Sequence, residues 1–373
     1  MVVIFSFGLG LACFIISWVQ NPGGLHLFVA LFMLRFFGQG NLFNVSTCEI
    51  NYWWVERRGV VMGIAGGAVS AAMLGVIPLI MINLIAALGW RQTYVVLGIA
   101  CIGFMAPIGG MFFRDKPEKY GLLPDARKPK QQNMAGEVEL ATPAGDQVDE
   151  KTENTEEELQ DDSDWTAPEV FRSVAFWVFS LSDLIIAATG TAFFFHLRSV
   201  FKESGVSSAI EQSIYPTLAF VSIGGNLFSG WLIDRITQRH VMWIGLAMHA
   251  AGLAMVSLMT TDALSYVVAF LIGASGSFCS NVRSTVFATL YGRTHLGKVQ
   301  SLASSMTVFG SAIGPFPFGV IRDLTGSFSL AFTGASLFPL VAAIVVFLFG
   351  KKEQRPQRCA GRPAAQALSK QGF

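Results

Sequence analysis

The sequence predicts an all-α membrane protein with two helical bundles, four spanning helices before a long polar connector and six after it. Three observations carry this. The 373 residues are 52% hydrophobic and only 14% charged, with a mean hydropathy of +0.52, which leaves too little polar surface for a water-soluble domain. Apolar runs long enough to cross a bilayer recur along the chain. Positive charge is sorted between alternate turns.

The first predicted span covers residues 2–19. It has no basic leader and the next segment is just as apolar, so it reads as a spanning helix rather than a cleaved signal. NPGG at 21–24 turns the chain into a second span, 24–48, which carries Arg35. The third span, 59–83, repeats Gly63, Gly66, Gly67 and Gly75 ahead of Pro78. Small residues of this kind let helices cross closely and bend in lipid. GWRQ at 89–92 leads into the fourth, 92–113.

Residues 114–172 break the pattern. They begin basic and turn acidic, with twelve Asp or Glu and one Lys over 137–164. Such a composition predicts a disordered, solvated connector. Six further spans follow at about 173–196, 213–233, 241–260, 264–291, 299–321 and 328–349, with bounds uncertain by a few residues. The predicted organisation is therefore a bundle over 1–113, a connector over 114–172, a second bundle over 173–350 and a tail over 351–373.

If Met1 lies in the cytoplasm, 20 of the 26 Lys and Arg fall on the cytoplasmic side and 4 on the other, with Arg35 and Arg283 inside spans. Both termini and the connector are then cytoplasmic, in a plasma or inner membrane rather than an organelle. The five cysteines are odd in number and lack metal-ligand spacing, so they read as helix-packing residues. No cofactor or metal is expected. A net charge of +1 gives no sign of a nucleic-acid partner. There is no nucleophile triad or phosphate-binding loop to support an enzyme or an ATP-driven pump.

RRGVVMGIAGGAVSAAMLGVIP (57–78) resembles HLGKVQSLASSMTVFGSAIGPF (295–316) at a shift of 238 residues, with Gly59 on Gly297. GWRQTYVVLG (89–98) pairs with GSFSLAFTG (326–334) after a one-residue gap. Internal repeats of this sort are typical of secondary transporters, whose solute site lies between the repeats.

With WWVERRGVVMGIAGGAVSAAMLGVIP, FRDKPEKYGLLPD, GWLIDRITQRH and GSAIGPFPFGVIRDLTGSF in order, the chain resembles the major facilitator superfamily, and within it the monocarboxylate transporter and oxalate–formate antiporter group. That resemblance implies twelve helices in two bundles of six, with the family's first two helices missing ahead of Met1. It implies a monomeric transporter in the lipid bilayer that moves a small organic solute, most plausibly a carboxylate, by alternating access coupled to protons or a counter-anion. The alternative is a truncated scaffold or receptor-like relative that moves nothing. An incorrectly assigned start is a further account of the missing pair.

The resemblance also nominates residues. Gly230, Asp234 and Arg235 match the family's G-x-x-x-D-R gating motif, and Arg239 follows in the same segment. Thr237 stands where the family usually has glycine. The aspartate is expected to pair with a neighbouring helix's arginine or N-terminal dipole. Arg35 resembles the arginine of an R-x-x-Q-G motif, here spaced R-x-x-G-Q-G, with Gln39 and Asn41 offering hydrogen bonds. Ser222 and Asn226 stand where monocarboxylate transporters carry an aspartate and an arginine, and are expected to line the cavity as neutral groups.

An arginine at the bilayer centre costs about 2.5–3.5 kcal/mol on insertion scales, so charged groups there usually face a bundle interior or watery cavity. Counting from their span starts, Arg35 and Asp183 both fall near the midplane. They are the expected solute or coupling pair. Arg283 lies closer to the cytoplasmic end, where it can also snorkel to the surface. His249 is expected to be a packing residue.

Overall fold

The computed structural model describes residues 1–20, 24–114, 116–120, 122, 124–126, 165–259 and 261–351. The acidic stretch 137–164 and the tail from 352 lie outside these residues.

The first bundle begins with α1 (Val2–Ser17). A continuous rod follows: α2 (Leu25–Leu34), a π-helical stretch (Arg35–Leu42) and α3 (Phe43–Trp53). Next come α4 (Arg58–Ala71), a second π-helical stretch (Ala72–Val76) and α5 (Ile77–Ala100). Within α5, Gly89 takes φ 76 and ψ 161. Only glycine adopts that conformation without strain, and it folds the chain back at the predicted turn. The bundle closes with a π-helical stretch (Cys101–Met105) and α6 (Ala106–Phe112). Periodicity located these rods but not their π-helical stretches, because one extra residue per turn leaves an apolar run looking the same.

Both ends of the connector are ordered. Short 3-10 turns cover Pro117–Tyr120 and Pro124–Ala126, and α7 (Ala167–Arg172) carries a capping box between Thr166 and Glu169. The disordered connector expected over 114–172 is corrected at these flanks, which dock on the bundles through side chains that composition does not reveal.

The second bundle comprises α8 (Val174–Ser204), α9 (Ser208–Ile233), α10 (Gln238–Val256), α11 (Asp262–Tyr291), α12 (Leu296–Ile313), α13 (Pro315–Thr325) and α14 (Ser329–Phe349). α8 runs past the expected end at 196 because Leu197, Val200 and Phe201 keep burying one face between Arg198 and Lys202. Gly205, left-handed at φ 68, then stops it.

Among the described residues, seven helical rods are long and apolar enough to cross a membrane, and Val2–Ser17 and Arg58–Leu74 are shorter apolar helices. Large apolar side chains such as Phe195 and Phe220 point outward, at 72% and 76% exposed, as lipid contact requires. The second bundle holds both hydrophobic cores: one around Phe176, Phe179, Phe287 and Leu246, the other around Phe193, Leu197, Leu253 and Phe332. The first bundle is looser, and α2 buries only Ala30.

The bundles meet where α4 crosses α9 and where α12 lies against α3 and the first π-helical stretch. Bonds between them cluster toward the end carrying Arg58, Asp234 and Arg293, termed the basic end below.

Candidate solute pathway and its gate

At the basic end, glycines let two backbones touch. A Cβ on Gly230 would stand 2.8 Å from the Gly63 Cα, and one on Gly63 would stand 2.6 Å from the Asn226 carbonyl oxygen. This approach brings Asp234 to the first turn of α4. Its carboxylate accepts from the Gly59 N–H at 2.7 Å and the Val60 N–H at 2.9 Å. Of the two partners anticipated for Asp234, the structure displays the helix N-terminus. Arg235 does not cross to the first bundle; it stacks on Trp231 of its own segment at 4.4 Å. Arg239 is half-buried and lines a 310 Å³ recess with Arg58, Asp234 and Thr289.

Several polar contacts at the basic end escaped the sequence reading. Arg58 donates to the Thr289 hydroxyl at 3.0 Å, and Gln238 donates to Thr285 and Thr289, each at 3.1 Å. Asn51 donates to the Ser284 carbonyl at 2.7 Å. Arg293 donates to the Tyr52 carbonyl at 2.7 Å and to Glu118 at 2.8 Å. Arg58 and Arg293 were visible only as charges that set topology. Lone threonines, asparagines and glutamines give no signal without the fold that faces them.

Deeper in, polar side chains continue between the bundles. Ser304 donates to Asn44 at 2.5 Å. Asn226 donates to Ser70 across the crossing at 3.0 Å, to the Ser222 carbonyl at 2.7 Å and to Ser277 at 3.2 Å. Asn281 in turn donates to the Asn226 carbonyl and to Ser229, both at 2.8 Å. Ser222 and Asn226 are buried. Both sit inside the contact between helices, because the α4–α9 crossing closes over them.

Arg35 and Asp183 make no hydrogen bond or ion pair with each other among the described residues. Arg35 opens the first π-helical stretch, is exposed and hydrogen-bonds Gln39 one turn along. Asn41 donates to the Phe36 carbonyl at 2.8 Å. Asp183 is buried at 4% exposure, and Arg283 lies at a similar depth on α11. The two enter from the same end. Asp183 lies nine residues from the start of α8 and Arg283 eight residues from the end of α11, so both are about 12–14 Å deep at 1.5 Å per residue. Among the described residues no hydrogen bond or ion pair reaches the Asp183 carboxylate. The Arg283 guanidinium lies over the Phe43 ring of the first bundle at 4.9 Å, and its Nε is buried with no acceptor. It therefore stays within the protein instead of snorkelling. His249 bridges Thr189 at 2.9 Å and Ser275 at 3.0 Å, tying α8, α10 and α11 together.

Two bundles of apolar rods, bonded to each other at one end and holding charges in their interior, define a membrane transporter of the two-bundle type. The chain belongs to the Major Facilitator Superfamily, whose pattern matches residues 1–282 and 200–371. It is 25% identical over 327 residues to the probable sulfoacetate transporter SauU of Cupriavidus necator, covering 83% of this chain and 69% of that one. It is 23% identical over 331 residues to monocarboxylate transporter 11 of Mus musculus, covering 86% and 66%. The chain thus spans about two thirds of the length of these relatives. Among solved structures, the human organic anion transporter MFSD10 superposes with a TM-score of 0.62 at 14% identity, over 92% of this chain and 76% of that one. The proton:xylose symporter XylE gives a TM-score of 0.60 at 14% identity, over 94% and 79%. These two likenesses establish the fold.

Proposed function

We propose that the protein is a secondary transporter that carries a small organic anion across a lipid bilayer by alternating access. It acts as a monomer in a plasma or inner membrane, with its termini and connector in the cytoplasm. The observation that carries this reading is Arg283: a guanidinium inside a span, over the Phe43 ring of the other bundle, with a buried Nε that has no acceptor among the described residues. An anionic solute supplies the missing acceptor through charge-assisted hydrogen bonds. Relatives named for sulfoacetate and for monocarboxylates support this solute class.

Asp183 competes with the solute for Arg283, so a proton taken up by Asp183 frees the guanidinium for the anion. This couples the two. Arg35, held by Gln39, is the second cation and belongs to the other bundle. Asp234, with Gly230, Arg235 and Arg239 around it, forms the gate.

Uptake of labelled sulfoacetate and acetate into proteoliposomes tests the reading. Arg283→Gln and Arg35→Gln should each lower uptake by about tenfold or more, the scale of a lost hydrogen bond to a charged group, with unchanged membrane expression. Asp183→Asn should keep exchange of solute for solute but lose accumulation driven by a proton gradient. Wild-type uptake in both arginine variants would sink the assignment.

A further inference from the structure

The segment FRDKPEKYGLLPD has so far served only as a family mark, yet it touches the gate at two points. Glu118 binds Arg293 at 2.8 Å, and the same guanidinium donates to the Tyr52 carbonyl at the end of α3. Seven residues further on, Asp125 turns back with a left-handed φ of 58. Its carboxylate accepts from the Val55 N–H at 3.2 Å and the Glu56 N–H at 2.9 Å.

The Asp125 bonds place two aspartates on one short stretch. Asp125 holds the N–H groups of residues 55 and 56, and Asp234 of the second bundle holds those of 59 and 60. The turn that joins α3 to α4 is thus set by the connector before the second bundle caps it. The chain returns to the same place at the connector's far end: the Trp165 ring packs edge-on against Tyr291 at 5.3 Å, two residues from Arg293.

We propose that Glu118 and Asp125 form a clasp that holds the basic end closed. Glu118 positions Arg293 on the end of α3, and Asp125 shapes the 54–57 turn to receive Asp234. When the basic end opens, Arg293 and Asp234 leave with the second bundle, whereas Asp125 and Glu118 stay with the first. The clasp therefore sets the population of the closed form and belongs to no solute site. It rests on the alternating-access reading above.

Hydrogen–deuterium exchange on the full chain in lipid nanodiscs tests it, with peptides that separate residues 54–57 from 58–62. Asp125→Asn and Glu118→Gln should raise exchange at Gly59 and Val60, and at the 285–293 end of α11, by about tenfold, the order of one lost charge-assisted hydrogen bond. A rise confined to residues 55 and 56, or no rise, overturns the clasp, because Asp125 would then shape only its own turn. If exchange rises throughout the chain, Arg293→Lys decides. It keeps the charge but loses the two-pronged donor, and should loosen 58–62 and 285–293 while the rest of the chain exchanges as in the wild type; an unchanged pattern in those two regions overturns the proposal. Solute uptake by the wild-type chain is measured alongside. Absence of uptake counts against the transport reading, whereas uptake with unmoved exchange in the variants counts against the clasp alone.

Discussion

At the scale of single residues, position within the lattice of helices decides what a charge does. Arg35 and Arg283 are both arginines inside spans, yet one lies open beside Gln39 and the other is pressed over Phe43 with a buried, unsatisfied Nε. A buried donor without an acceptor is costly, so Arg283 is the less satisfied of the two. Asp234 shows the converse, a carboxylate fully used by two backbone donors at a helix start. Asp234→Ala removes that cap and should cost about 1 kcal/mol in the closed form alone. Trypsin accessibility at Arg57 and Arg58 in membranes should rise several-fold as a result. Accessibility equal to wild type would show that the cap does not hold the bundles together.

At the scale of elements, the third span and α9 are built to approach closely, and glycine is what permits it. The side chain of Gly230→Val has no room, because its Cβ would collide with the Gly59 carbonyl and the Gly63 Cα. The helices must part, and both the Asp234 cap and the Asn226–Ser70 bond go with them. Uptake should fall about tenfold or more, on the scale of the 1–3 kcal/mol typical of overpacking, while the protein still reaches the membrane. Wild-type uptake would mean that the crossing is not part of the transport cycle. The π-helical stretch Arg35–Leu42 belongs to the same scale. It resets the rotation of α3 relative to α2, and so decides which faces of Phe43 and Asn44 meet the second bundle.

At the scale of the whole molecule, the bonds between bundles gather toward one end, which makes this the form closed at the basic end. Asn44 and Ser304 touch across the bundles. Cysteines at both positions, Asn44→Cys and Ser304→Cys, should form a disulfide under mild oxidant that arrests uptake, with recovery after reduction. Full uptake by the crosslinked protein would exclude a cycle in which the bundles separate there.

The sequence by itself determined the membrane class, the order of the rods, the internal repeat and the family. These follow from composition, from apolar run length and from glycines and charges at fixed spacing, all of which are properties of the chain read in one dimension. It also nominated Asp183, Arg283 and Asp234. It left open which groups Asp183, Arg35 and Asn226 face, because depth in a span can be counted along a chain whereas rotation about a helix axis cannot. Only the tertiary structure decided that Arg283 lies over Phe43 with a buried Nε, that Asn226 is enclosed at a helix crossing, and that Arg58 and Arg293 bond across the bundles. Each of those facts depends on which helix faces which, and that is set by backbone approach at Gly59, Gly63 and Gly230 and by the π-helical turn after Arg35.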